Sequence, residues 1–244
     1  MTRTLLAAAI VVSVTAAGPA VAGEVKAVVE LFTSQGCSSC PPADKLLGEY
    51  AGRDDILALS FNVDYWDYLG WKDTLASPDH SDRQRAYAAA RGDAQVYTPQ
   101  AVVDGLSHAI GSSRSQIEAA LAANAGALSV PIALSATDDD ITVDIGPASR
   151  AGTAPATLWL VMYDRSVTVP IGRGENRGRT VTYNNVVRKM RPIEMWKGAA
   201  MSVHLAKSEI AQADVERCAV LPQAETAGGL PGPILGAAMI DMSD

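Results

Sequence analysis

The first forty residues after position 23 alternate apolar runs with an amphipathic stretch. Residues 24–32 and 55–63 are each apolar and β-rich over a length that suits one buried strand. Between them, a segment that opens at Pro41 places its leucines and a tyrosine on one helical face and stops at Gly52. Since proline favours the first helical turn and glycine the position after the last, the pattern predicts a strand–helix–strand unit.

The next sixty residues continue this alternation. A Ser-Pro pair at 77–78 predicts the start of a second helix, which ends at Gly92. Residues 96–111 predict two strands joined by an Asp-Gly hairpin turn at 104–105. A Ser-x-x-Gln capping signal then opens an amphipathic helix over 113–126.

The remainder of the chain has a different pattern, with short β-type runs separated by turn residues. We place a boundary near 125–126, which gives an α/β domain over 23–126 and a β-rich domain over 127–244. Strands at this spacing predict a sandwich-like second domain. Only "LAKSEIAQAD" indicates a helical turn in this half, and the predicted strands are "VPIALSA", "ITVDIG", "ATLWLVMY", "VTVPI", "TVTYNNVV", "MSVHLA", "CAVLP" and "ILGAAMI".

Residues 1–22 have the pattern of a secretory signal peptide. Arg3 precedes an apolar run, and "AVA" at 20–22 is a small-x-small cleavage site, so the mature chain is expected to begin after Ala22. We therefore expect a periplasmic or secreted protein. The apolar run is too short to span a bilayer, and no membrane span is predicted for the mature chain. A retained anchor is the alternative.

Charge and motif content exclude several classes of function. The formal net charge is −7, and no block of lysines and arginines is present, so a nucleic-acid partner is not expected. The chain has neither a glycine-rich phosphate loop nor a Gly-x-Ser-x-Gly nucleophile elbow. We predict no organic cofactor.

Two cysteines in "FTSQGCSSCPPAD" (32–44) are the strongest chemical signal. Cys37 and Cys40 lie between a predicted strand and the start of a helix, where main-chain amides favour a thiolate over a thiol. A thiolate there can attack a substrate disulfide, and the second cysteine can then resolve the mixed disulfide. An exported protein also keeps such a pair oxidised more readily than a cytosolic one.

This layout resembles the thioredoxin superfamily over residues 24–125. Thr98-Pro99 stands just before the hairpin, where the superfamily has a cis-proline that faces the redox cysteines and contacts the substrate backbone. Glu30 lies in the strand before the pair, where many thioredoxins place a buried carboxylate that assists proton transfer. The resemblance implies thiol–disulfide exchange with a partner protein, in which Cys37 attacks and Cys40 resolves.

The wider run of sequence resembles one specific set of secreted thioredoxin-like proteins, domain-of-unknown-function family 1223. The segments that carry this likeness continue nearly to the end of the mature chain. They are "ELFTSQGCSSCPPAD", "VDYWDYLGWKD", "RQRAYA", "YTPQAVVDG", "GENRGRTVTYNNVVR" and "GPILGAAMI". The resemblance implies a fold and a redox-type motif, without a known substrate.

The sequence departs from the thioredoxin pattern at two places. Two serines separate the cysteines and two prolines follow them, so the first helical position falls at Pro41 and the N-cap is predicted at Cys40. Glu30 is one residue further from the first cysteine than the usual carboxylate is.

Other interpretations of the cysteine pair remain open. Half of a zinc site would need further ligands, and the chain offers only single candidates at Cys218, His80, His108 and His204. A copper site would use both cysteines and one histidine. A permanent structural disulfide on a non-catalytic binding module is a third alternative. Redox exchange is the interpretation we favour, and no metal site is predicted.

Two further segments and the third cysteine are worth noting. Tyr65 and Trp66 belong to an aromatic segment at the carboxyl edge of the sheet, where they can contact a peptide or pack on the second half.

The loop 172–180 holds three arginines, which either bind an anion or pair within the loop. Cys218 is expected to pack as a small apolar side chain.

Overall fold

The computed structural model describes residues 24–149, 153–211 and 215–242, so the predicted signal peptide lies outside the described residues. Within these ranges no helix is both long and apolar enough to cross a bilayer. The elements of the first half are β1 (Ala27–Thr33), α1 (Pro41–Ala51), β2 (Ile56–Asn62), α2 (Pro78–Arg91), β3 (Gln100–Val103), β4 (Ser107–Ile110) and α3 (Arg114–Ala123).

The first half has the predicted thioredoxin-like arrangement. β1 pairs in parallel with β2, and β3 and β4 follow in antiparallel order on the other side of β1. α1 and α3 cover one face of these strands and α2 covers the other. Every residue of β1 and β2 is buried, as expected for strands that are covered on both faces.

The second half extends this sheet, which corrects the prediction of a separate sandwich. Its elements are β5 (Ile132–Ala136), β6 (Asp140–Ile145), β7 (Ala156–Pro170), β8 (Thr180–Trp196), β9 (Met201–Ala206), α4 (Lys207–Ala211), β10 (Arg217–Glu225), β11 (Pro231–Ile234) and β12 (Ala238–Asp241). β8 joins the outer edge of β2, and β7 and β10 continue from it. The main sheet therefore contains strands from both sides of the predicted boundary at 126.

A side-chain hydrogen bond fixes the junction between the two halves. Ser60 of β2 pairs in parallel with Val186 of β8, and the Asn185 amide donates to the carbonyl of Ala58 over 2.8 Å. The pairing satisfies an edge of β2 that would otherwise expose unpaired peptide groups. Strand runs that alternate in sequence do not reveal which edge they join, so the sequence could not predict this junction.

Sandwich-like packing does occur, but over a smaller area than predicted. β5, β6 and β9 form a separate three-stranded antiparallel sheet. Its inward residues, such as Ile141 and Val143, share a core with Leu158 and Leu160 of β7 and with Trp196. The structure is therefore a mixed α/β fold with one main mixed sheet and one small antiparallel sheet.

The two longest strands are longer than the sequence pattern indicated. β7 joins two predicted runs, and β8 continues well past its predicted end. The two strands pair with each other over nearly their full length, so the polar residues 164–166 continue the hairpin, with Asp164 half-buried and the next two residues exposed. Cross-strand pairing therefore overrides the local polarity that predicted a break.

The β3–β4 turn contacts the second half of the chain at very short range. The turn joins Val103 to Ser107, and its Asp104 and Gly105 both have positive φ, as the predicted Asp-Gly turn favours. The carbonyl of Asp104 accepts from the amide of Ile234 over 2.9 Å. A Cβ at Gly105 would lie 2.4 Å from the carbonyl oxygen of Gly232, so only glycine fits this contact.

We predict that Gly105→Ala lowers the free energy of unfolding by about 2–4 kcal/mol, because it adds a backbone clash to a left-handed conformation. Gly92→Ala is the matched control, since Gly92 has a similar φ of 73° and nothing within 4 Å of the added Cβ. We expect a loss of about 1 kcal/mol for this control. Urea denaturation measures both values, and equal losses would show that the contact with Gly232 carries no energy.

Candidate functional site

Cys37 and Cys40 form a disulfide at the junction between β1 and α1. Their Cα atoms lie 5.4 Å apart, and Cys40 is the N-cap of α1, as predicted. Cys37 is 3% exposed and Cys40 is fully buried, whereas Ser38 and Ser39 between them are exposed. The disulfide is therefore reached from solvent across the two serines.

The start of α1 offers few free amides to a thiolate. Pro41 and Pro42 occupy the first two helical positions and have no N–H. The amides of Ala43 and Asp44 both donate to the carbonyl of Cys40, over 2.8 and 3.1 Å. The hydrogen-bond donors of the first turn are thus absent or already used, unlike those of an ordinary helix start.

The two serines supply the donors that the helix start lacks. The amides of Ser38 and Ser39 donate to no acceptor among the described residues. The hydroxyl of Ser39 lies 3.4 Å from the sulfur of Cys37. A hydrogen bond to the charged form of a thiol favours that form, so this segment is placed to stabilise a thiolate at Cys37.

The loop before the disulfide is fixed by side chains from two distant segments. The amide of Gln35 donates to Asp73 over 2.7 Å, and its side-chain carbonyl accepts from the indole of Trp71 over 2.8 Å. The side-chain amide of Asn176 donates to the carbonyls of Gln35 and Cys37, over 3.0 and 2.8 Å. Buried peptide groups are thereby satisfied without regular secondary structure.

Asn176 is a site residue that the sequence did not reveal. It lies in the loop between β7 and β8, is 1% exposed, and bonds to a carbonyl 139 positions earlier in the chain. Its Oδ1 atom is buried without a hydrogen-bond partner among the described residues. The sequence drew attention to the arginines of the segment 172–180. No local sequence pattern shows that the asparagine among these charged neighbours is buried.

The Thr98-Pro99 peptide bond is cis, as the resemblance implied. The indole N–H of Trp66 donates to the hydroxyl of Thr98 over 2.7 Å. Trp66 also lies against the cysteine loop, because a Cβ at Gly36 would come within 3.0 Å of the Trp66 Cβ. Trp66 therefore joins the loop that carries the disulfide to the loop that carries the cis-proline.

The aromatic segment has both exposed and structural members. Tyr68 is 76% exposed and stacks on Trp66, with 6.4 Å between ring centroids. Tyr65 instead donates its hydroxyl to Gln84 over 3.0 Å, and burial raises its pKa to about 12. Gln84 in turn donates to the carbonyl of Tyr97, so Tyr65 supports the cis-proline loop from behind.

Glu30 does not lie on the side of the sheet that carries the disulfide. Its carboxylate pairs with the guanidinium of Arg83 over 2.7 Å and accepts from the hydroxyl of Tyr87. Both partners belong to α2, whereas Cys40 begins α1 on the opposite face. The alternation of side chains along β1 separates the two faces, so the structure gives Glu30 no contact with the cysteines.

Arg83, the ion-pair partner of Glu30, borders a cavity of about 410 Å³ between α2 and the extension of the sheet. Phe61, Trp159 and Met190 give this cavity apolar walls. Arg188 and Glu225 bring charges of both signs to it. The cavity lies apart from the disulfide, so it is a separate concave surface of the molecule.

Asp44 is a second residue that the sequence analysis missed. It follows Cys40 by four positions, so the two side chains share one face of α1 about one turn apart. Burial, opposed by a 2.6 Å hydrogen bond from Thr33, raises the pKa of Asp44 to about 8, and the charge of Asp73 adds to the rise. Its Oδ2 atom has no partner among the described residues. The (i, i+4) spacing from Cys40 was the signal that could have identified it.

The described residues contain no group of three or more His, Cys, Asp and Glu side chains placed to hold a metal ion. The Nδ1 atoms of His80 and His204 lie 2.9 and 3.1 Å from the Asn62 carbonyl and the Thr142 hydroxyl respectively. The zinc and copper alternatives therefore find no third ligand in the described part of the chain. Cys218 lies in β10 as a free, fully buried thiol that packs in an apolar core, which confirms its predicted packing.

We predict that Asp44→Asn flattens the pH dependence of stability. The folded protein keeps a proton on Asp44, whose pKa is raised from 3.8 to about 8, while the unfolded chain releases it above pH 4. Asp44 therefore makes stability fall as pH rises between those limits, by about 1.4 kcal/mol per pH unit.

Asp44→Asn is expected to remove this slope and to be more stable than the parent protein at pH 8. Urea denaturation at several pH values measures the difference between the two proteins. Asp54→Asn, at an exposed position, is the control and is expected to keep the parental slope. Parallel curves for Asp44→Asn and the parent would contradict the assignment.

Comparisons with known proteins place this geometry in a family. The chain is similar to the crystal structure of the Agrobacterium tumefaciens protein AtR35, with 39% identity and a TM-score of 0.80 over 89% of this chain and 95% of that one. HBP35 of Porphyromonas gingivalis shares the fold at 11% identity, with a TM-score of 0.61 over 91% and 76% of the two chains. No curated protein matches the sequence. The family described as "Protein of unknown function (DUF1223)" matches residues 28–223, and the chain therefore belongs to the DUF1223 family.

Proposed function

We propose that the protein is an exported thiol–disulfide oxidoreductase that exchanges its Cys37–Cys40 disulfide with a partner protein. The observation that carries the proposal is the junction made by Trp66, which joins the disulfide loop to the cis Thr98-Pro99 peptide. A cysteine pair and a cis-proline on adjacent loops offer a substrate both a nucleophile and a backbone to align with. Export depends on the predicted signal peptide.

In the reducing direction, the thiolate of Cys37 attacks one sulfur of a partner disulfide. A mixed disulfide forms, and the other partner sulfur leaves as a thiolate and takes up a proton. Cys40 then loses its proton, attacks the sulfur of Cys37 and releases the second partner thiol. Two electrons pass from the dithiol to the partner, and the same steps in reverse oxidise a partner dithiol.

Asp44 takes the proton-transfer role that the sequence assigned to Glu30. It lies one helical turn from Cys40 on the same face of α1, and its pKa of about 8 lets it exchange a proton near neutral pH. Glu30 is held by Arg83 on the other face of the sheet. In this proposal Glu30 stabilises the fold, and Asp44 exchanges a proton with the resolving thiol. Its protonated form, which dominates near neutral pH, donates to the Cys40 thiolate in the oxidising direction, and its ionised form accepts the Cys40 proton in the reducing direction.

The exposed surface around the disulfide supports a peptide substrate. A partner segment approaches Cys37 across Ser38 and Ser39 and lies along the backbone of Thr98. Trp66 and the exposed ring of Tyr68 border the same surface, and aromatic faces suit the apolar part of a peptide. No organic cofactor is needed for these steps.

A second candidate is a binding module whose disulfide is purely structural. The 3% exposure of Cys37 favours this candidate, because a permanent structural disulfide does not need to be accessible to a partner. The 410 Å³ cavity offers an independent binding surface. Under this candidate the reduced and oxidised proteins bind the same partner equally. Under exchange, the reduced protein alone forms a mixed disulfide with an oxidised partner.

We predict that Cys40→Ser accumulates a mixed disulfide through Cys37, because the resolving thiol is missing. The variant, expressed with its leader, is quenched in acid, alkylated and separated on a non-reducing gel, where a thiol-sensitive adduct is expected. The double variant Cys37→Ser, Cys40→Ser is the control, since Cys218 is fully buried. A Cys40→Ser sample without any adduct would favour the structural disulfide.

A further inference from the structure

The β7–β8 loop combines a buried anchor at the disulfide with an exposed cationic surface. Residues 172–180 join the two strands, and the loop is closed by hydrogen bonds between Ile171 and the segment 178–179, over 2.8 and 2.9 Å. Ile171 is buried beside Leu75 and Tyr183. The loop is therefore held at its base by the apolar core.

Close packing fixes the middle of the same loop. Gly172 and Gly174 lie against the ring and the Cβ of Trp71, where an added Cβ would come within 3.1 and 3.3 Å. Asn176 reaches inward to the carbonyl of Cys37. Trp71 itself bonds to Gln35, so the loop and the cysteine segment share one rigid support.

Three guanidiniums project from this support into solvent. Arg173, Arg177 and Arg179 are all exposed, and none forms an ion pair or side-chain hydrogen bond with any residue in the described ranges. Glu175 is exposed in the same loop and leaves it with a net charge of +2. The pairing within the loop that the sequence left open does not occur.

The three arginines form a local positive patch on an otherwise acidic protein. The chain as a whole has a formal net charge of −7, so a local cationic loop is an exception on an acidic molecule. Arg177 directly follows Asn176, whose side chain contacts the Cys37 peptide. Charges separated by more than about 8–10 Å are screened at physiological salt, so the arginines act only on partner groups that come close to this loop.

We propose that the 172–180 loop docks an acidic segment that flanks the cysteine of the exchange partner. The proposal rests on the proposed function, because it names the class of partner for that disulfide. Arginine binds carboxylates through two parallel hydrogen bonds, and three unpaired guanidiniums suit a run of Asp or Glu side chains. Docking there brings the partner sulfur to Cys37 and raises the rate of encounter.

The test uses two synthetic peptides with the same disulfide, one flanked by glutamates and one by glutamines. We expect the reduced protein to reduce the Glu peptide about tenfold faster than the Gln peptide at low ionic strength. In 0.5 M salt we expect the preference to fall below about twofold. The triple variant Arg173→Gln, Arg177→Gln, Arg179→Gln is expected to lose the preference while it still reduces the Gln peptide.

A second triple variant, Lys26→Gln, Arg53→Gln, Arg114→Gln, is the matched control. It makes the same change in net charge. Lys26 precedes β1, and Arg53 follows the last turn of α1. Arg114 pairs with Glu49 in that last turn. These positions lie at the far end of an 11-residue helix, about 16 Å long, from the disulfide. The control is expected to keep the preference for the Glu peptide.

Three results would overturn the docking proposal. Equal rates for the two peptides with the parent protein, or equal loss in both triple variants, would reject the loop while leaving exchange in place. Failure of the parent protein to exchange with either peptide, both as reductant of the disulfide and as oxidant of the dithiol, would instead reject the proposed function itself, and the docking site with it.

Discussion

Every functional statement about this protein depends on how the loop between β1 and α1 satisfies its buried peptide groups. The segment 34–37 lies outside the strands, yet the amides of residues 35–37 and the carbonyls of Ser34, Gln35 and Cys37 are all hydrogen-bonded. Asp73 and Asn176 supply the missing hydrogen bonds, one from the segment after β2 and the other from the second half of the chain. Because leaving such groups unpaired costs about 1–3 kcal/mol each, these two side chains determine where Cys37 can lie. The extension of the sheet is thus part of the site, since it carries Asn176.

The second constraint is the pair of prolines that begins α1. They set the helix start at Cys40 and remove two amides that usually face an anion at this position. The serine pair before them compensates with two free amides and a hydroxyl near the sulfur of Cys37. In the proposed exchange, local hydrogen bonds from this segment stabilise the thiolate of Cys37 more than the helix dipole does.

Local signals in the sequence predicted the first half of the fold well. Caps, the Asp-Gly turn, the X-Pro bond before the hairpin and the cysteine pair each act within a few residues, and the structure places them as expected. Asn176 could not be predicted in the same way, because its contact with Cys37 spans 139 positions. Glu30 was assigned from the resemblance to thioredoxins, although it lies one residue further from the first cysteine than their carboxylate does. Since side chains alternate along a strand, one residue is enough to place it on the opposite face of the sheet. The single continuous sheet could not be predicted, because alternation of apolar and polar residues identifies a strand but not the strand with which it pairs.

The account is tested most directly by the rate at which iodoacetamide alkylates Cys37 at pH 6. The Cys40→Ser protein is compared with an unstructured peptide of residues 32–44 carrying the same change, and mass spectrometry assigns the label to Cys37. If the Ser38–Ser39 segment stabilises the thiolate and leaves it accessible, the folded protein reacts at least about tenfold faster than the peptide. A rate equal to or below that of the peptide would show a thiol that the fold neither activates nor exposes, and would contradict exchange at this site.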